Sequence, residues 1–140
     1  MPGGIVYDNA ASYVALGVVK AAVYTGYAAF LNLRLNGKHA APLVGFTRTA
    51  IGMAVGGAYF WALLQITGRP PPETFGFLTY WASFVPIRIA EWWLLLRIFY
   101  LSRREMDRGV GPILCGVAVS YVADLPAAFG WLVTGGLWMC

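Results

Sequence analysis

The chain predicts an all-α integral membrane protein, a bundle of four transmembrane helices joined by short loops in a single domain spanning residues 1–140. Three observations carry this. Of 140 residues, 59% are hydrophobic and only 11% charged, with a mean hydropathy of +0.65. Soluble domains carry about 25% charged residues. The apolar residues fall in four long blocks, each longer than the ~20 residues that cross the hydrocarbon core. None of the blocks alternates with the period of two that marks a membrane strand.

The first block covers about 9–33 and is interrupted only by Lys20. The start, MPGGIVYDNAAS, holds Asp8 and no Lys or Arg, so it does not read as a cleaved signal peptide. The second block covers about 42–66, with Arg48 near its start. The third covers about 77–101 and holds Arg88, Glu91 and Arg97. The fourth covers about 110–139 and holds Asp124 and, inside the helix pattern, Pro126. Proline removes one backbone donor and frees the carbonyl of Val122 beside Asp124.

The joints set the expected orientation. The first is basic (Arg34, Lys38, His39), and so is the third (Arg97, Arg103, Arg104, Arg108 against Glu105 and Asp107). The second, Thr67-Gly-Arg69-Pro-Pro-Pro-Glu73, is balanced and stiff. The positive-inside rule puts joints one and three in the cytoplasm and both termini outside, in a bacterial-type inner or plasma membrane. Trp61, Tyr80, Trp81 and Trp138 then fall at outer helix ends, and Tyr100 at an inner one. Trp92 and Trp93 lie deeper than an aromatic belt requires, facing lipid or walling a pocket beside Glu91. The sequence pI near 9.3 follows from this topology and from anionic lipid contact. Membrane lipids are the expected surroundings; nucleic acid is not an expected partner.

The intramembrane charges mark the candidate site. Lys20, Arg88, Glu91 and Asp124 lie about halfway along their blocks, counted at 1.5 Å per residue. Each would cost roughly 2.5–3.5 kcal/mol at the bilayer centre if left unpaired. A bundle that turns all four inward and pairs them avoids most of that. Arg88 and Glu91 share a helix face at a spacing of three, along the stripe Trp81, Phe84, Arg88, Glu91, Leu95. On the first helix the stripe is Tyr13, Gly17, Lys20, Tyr24, Tyr27; on the fourth, Tyr121, Asp124, Ala128 and Trp131. The expected pairs are Lys20–Asp124 and Arg88–Glu91. Three roles stay open: ion pairs that fix helix register, a polar cavity for a substrate, ion or proton, or pairing with another chain. The cavity would be lined by Lys20, Tyr24, Tyr27, Arg88, Glu91, Tyr121 and Asp124.

Arg48 lies roughly 10 Å in from the cytoplasmic end of its helix and is expected to snorkel to the headgroups. Its face also carries Gly45, Gly52 and Gly56, with Gly52 and Gly56 in a GxxxG pattern that admits a close neighbour helix, within the bundle or from a second copy or other subunit.

Several chemistries find no support. His39 is the single histidine and lies in a joint, so no metal site and no bis-histidine haem is expected. Cys115 and Cys140 sit at opposite ends of one helix and cannot bridge within the chain. No nucleophile elbow, phosphate loop or zinc spacing is present. No cofactor is expected and no catalytic residue is assigned. The expected function is a small channel- or transporter-type protein, or an accessory subunit of a larger membrane complex. The alternative is a lipid-modifying enzyme with Glu91 or Asp124 as general base.

Overall fold

The computed structural model describes residues 10–35, 37–68, 76–101 and 109–134, with side chains for 14–35, 37–68, 78–101 and 109–126. Tyr13, Arg69, the prolines after it, Glu73, Arg103 to Arg108, Ala128, Trp131, Trp138 and Cys140 lie outside those limits. Among the described residues the chain is helical, with no strand. The helices are α1 (Ala10–Leu35), α2 (Ala41–Thr67), α3 (Phe77–Ser83), α4 (Val85–Phe99) and α5 (Val110–Thr134).

Their bounds follow the local chemistry. Pro42 occupies the first turn of α2, where its missing N–H is no loss. Gly68 ends that helix in the left-handed region (φ 66°), and its N–H caps the Leu64 carbonyl at 2.9 Å. Asn32 closes the joint between α1 and α2 by donating from Nδ2 to the His39 carbonyl at 2.8 Å.

The third apolar block is not one helix. It breaks at Phe84 (φ −78°, ψ −13°) into α3 and α4. Pro86 explains the break, since it cannot donate to the Ala82 carbonyl and its ring crowds it. The helix resumes at once, with Arg88 N–H on the Phe84 carbonyl at 2.9 Å. Phe84, Arg88, Glu91 and Leu95 still share a buried face.

α1 packs against α2 and α5, and α4 packs against the same two, so the four long elements form a ring. α1 and α4 lie across its diagonal and meet through side chains. Trp92 reaches over to Tyr24 and Tyr27 edge-to-face, with ring centroids 5.9 and 5.1 Å apart. The Tyr100 hydroxyl donates to the Ala28 carbonyl at 3.2 Å. Two α1–α2 and α4–α5 contacts need glycine. A Cβ at Gly45 would lie 2.7 Å from the Thr25 backbone nitrogen, and one at Gly116 would lie 2.5 Å from the Trp92 indole.

The interior is layered. Toward joints one and three lies an apolar cluster of Tyr24, Tyr27, Leu31, Val44, Trp92, Leu95, Leu96 and Ile113. Toward joint two lies an aromatic cluster of Phe60, Tyr80 and Phe84. Lys20, Arg48, Arg88, Glu91 and Asp124, all buried, occupy the level between. The outside is the reverse: Val14, Val18, Phe30, Leu33, Phe46, Trp61, Ile66, Leu114 and Val122 are exposed. Two helical stretches, Val14–Leu35 and Ala41–Thr67, are long and apolar enough to cross a membrane.

Candidate functional site

Each long helix delivers at least one polar group to the middle layer. Asp124 on α5 is fully buried and takes two cations. The Lys20 ammonium on α1 lies 2.6 Å from its Oδ1 as an ion pair. The Arg88 guanidinium on α4 binds Oδ2 through Nη2. Arg88 is steadied on its faces by the Tyr121 ring at 4.3 Å and the Phe84 ring at 5.8 Å. The Tyr121 hydroxyl points away, donating to the Trp81 carbonyl at 3.0 Å and tying α5 to α3.

Arg48 forms the second centre. It is 2% exposed, and its Nη2 lies 2.7 Å from Glu91 Oε2. The same nitrogen donates to Ser120 Oγ at 3.2 Å. Ser120 also accepts from the Trp92 indole N–H at 2.9 Å and donates to the Gly116 carbonyl at 3.0 Å. The Tyr24 and Trp92 rings each lie 5.0 Å from the Arg48 guanidinium carbon.

Two expectations are corrected here. Arg48 does not snorkel; α2 turns that face into the ring, where Glu91 offers a carboxylate. Arg88 and Glu91 do not pair with each other. They share a face, but an Arg preceding a Glu along a helix is the weaker orientation, and each finds an acid or base on a neighbouring helix instead. Lys20–Asp124 is present as expected.

The two centres face one cavity, lined by Lys20, Tyr24, Arg48, Thr49, Gly52, Gly56, Phe84, Arg88 and Glu91. Space for the centre of a water-sized molecule amounts to about 20 Å³, enough for one or two such molecules, since one needs roughly 10–15 Å³. Of the sequence-derived cavity residues, Lys20, Tyr24, Arg88 and Glu91 reach its wall. Asp124 stands behind Lys20 and Arg88. Tyr27 spends its hydroxyl on the Pro112 carbonyl at 2.7 Å, and Tyr121 supports Arg88 from the side. Of the three α2 glycines on the Arg48 face, Gly45 meets α1, whereas Gly52 and Gly56 form cavity wall.

Sequence reasoning missed Arg48, Thr49 and Ser120 as members of this layer, and it placed Phe84 on the Arg88 face without assigning it to the cavity. A signal existed for two of them. Arg48 repeats at four-residue spacing with Gly52 and Gly56, and Ser120 stands one turn from Asp124. Trp92 faces neither lipid nor the cavity; it is buried against Arg48 and Ser120, while Trp93 stays 39% exposed with Arg97 stacked on it at 5.1 Å.

Among the described residues no group of three or more His, Cys, Asp or Glu is arranged to hold a metal ion. The chain matches no protein-family model, no curated protein and no solved structure.

Proposed function

We propose that this chain is an integral membrane protein of four spans, with the α3–α4 pair forming the third, that acts as a small channel- or transporter-type protein or as such a subunit of a larger complex. The charged cavity is its working site. The observation that carries this reading is the inverted distribution of polarity. Among the described residues five charged side chains are buried, while large aliphatic and aromatic side chains cover the outside. Only 17% of the most apolar stretch of α2 is buried; the core helix of a soluble protein would be mostly buried. In lipid, an apolar exterior and paired interior charges are both favourable.

Joints one and three face the cytoplasm and both termini face outward, in a bacterial-type inner or plasma membrane, with lipids around the exposed faces. A homo-oligomer or neighbouring subunit would cover part of the exposed apolar surface. The lipid-modifying enzyme is the weaker alternative, because Glu91 and Asp124 both have cations against their oxygens. A general base needs a free lone pair aimed at substrate.

Fractionation tests the reading. The protein should stay in membranes through an alkaline carbonate wash and leave only with detergent. Release by carbonate would refute it. Native mass in mild detergent then separates a homo-oligomer from a mixed complex.

A further inference from the structure

We propose that the cavity binds one small inorganic anion, of about the size of chloride, at the Arg48 and Arg88 guanidinium edges. This rests on the reading of the cavity as a polar working site inside a membrane bundle.

Charge comes first. The described residues buried in this layer include three cations, Lys20, Arg48 and Arg88, but two carboxylates, Glu91 and Asp124. Among these described residues the cations outnumber the carboxylates by one. Buried cations favour acceptor-rich neighbours, and a mobile anion is one.

The donors come next. Arg48 Nε and Nη1 and Arg88 Nε are buried and have no hydrogen-bond partner among the described residues. A guanidinium has five N–H groups and no lone pair, so only an acceptor satisfies them. The Tyr24 and Trp92 rings hold the Arg48 group in place but supply no such acceptor.

The wall is shaped for it. A Cβ at Gly52 would lie 2.7 Å from Arg48 Nη1. Glycine at this position keeps the open edge of the guanidinium in contact with the cavity. The space is small as well: about 20 Å³ for water-sized centres suits a monatomic anion. A cation at the guanidinium edges would meet only donors, and an anion accepts from all of them at once.

Purified protein in a neutral maltoside detergent tests this by thermal unfolding, followed through tryptophan emission. Sodium chloride is titrated against sodium gluconate at constant ionic strength. Chloride should raise the unfolding temperature saturably, as a ligand of the folded state does, and gluconate should not. Gly52→Ala should remain folded and bind chloride about tenfold more weakly, the loss of roughly one charge-assisted hydrogen bond. Arg48→Gln combined with Glu91→Gln removes the donors together with their paired acid and should abolish the response. Equal effects of chloride and gluconate overturn the proposal in favour of water. Dependence on sodium against choline, or on added phosphatidylglycerol but not chloride, also overturns it. So does Gly52→Ala that binds chloride as tightly as the unaltered chain. Any of these results in a carbonate-resistant protein ends only the anion assignment; release by carbonate ends the membrane reading itself.

Discussion

Replacing Asp124 with alanine removes the one acid that two cations share. Lys20 Nζ lies 2.6 Å from it, Arg88 binds its other oxygen, and the three side chains are 7%, 6% and 0% exposed for Lys20, Arg88 and Asp124. Solvent therefore screens neither contact. Removing one partner of a buried pair costs about 3–5 kcal/mol, mostly through the stranded charge. Asp124→Ala strands two, which places the loss at the upper end, about 5 kcal/mol, comparable with the whole stability of a small domain. Lys20→Met on the Asp124→Ala background removes one stranded charge and should recover about 1–3 kcal/mol, the usual coupling between contacting residues. Arg88→Met on the same background should also recover stability. Reversible unfolding by sodium dodecyl sulfate in mixed micelles, read by tryptophan emission, gives all of these differences. A loss below about 1 kcal/mol for Asp124→Ala would match an exposed pair and refute the buried arrangement. A double variant whose losses simply add would show that Lys20 and Asp124 do not interact.

The same unfolding assay covers two further changes. Ser120→Ala leaves Arg48 Nη2 with Glu91 alone and the Trp92 N–H without its acceptor; it should cost about 1–3 kcal/mol and alter the tryptophan emission. Gly45→Ala forces α1 and α2 apart against the Thr25 backbone, at about 1–3 kcal/mol, whereas Gly57→Ala meets nothing within 4 Å and should stabilise α2 by about 0.5–1 kcal/mol. The reverse order of these two would place the α1–α2 contact elsewhere. For topology, Lys38→Cys in a chain with both native cysteines replaced by serine puts a thiol at an exposed position of joint one. An impermeant thiol reagent should reach it only after cells are permeabilised; labelling of intact cells would invert the proposed orientation.

The helical stretches were legible because hydropathy is summed over many residues. Block ends from composition fall within about two residues of the described bounds of α1 and α2, the ordinary uncertainty of helix termini. The break at Phe84 was less legible. Pro86 is visible in the sequence, but membrane helices often carry proline, and the shared face of Arg88, Glu91 and Leu95 reads through it. The inward turn of Lys20, Arg88, Glu91 and Asp124 followed from the expense of a lone charge. The partners did not follow, since depth says which residues share a level and not which helices are neighbours. Arg48, only about 10 Å from the end of its helix, lay within reach of the headgroups, and depth alone did not show that Glu91 faces it. In the fold, α4 lies beside both α2 and α5, so its arginine and its glutamate point to different neighbours.

The Lys20–Asp124 contact joins the first long helix to the last. For a chain that enters the bilayer as it is synthesised, α1 arrives while Asp124 has yet to leave the ribosome. The Lys20–Asp124 contact can form only after α2, α3 and α4 have emerged. The early helices should therefore linger beside the insertion machinery or in a hydrated vestibule, and release into lipid should come late and together. A ribosome-bound chain truncated before Asp124 should crosslink to the insertion channel through α1, and one extended past it should not.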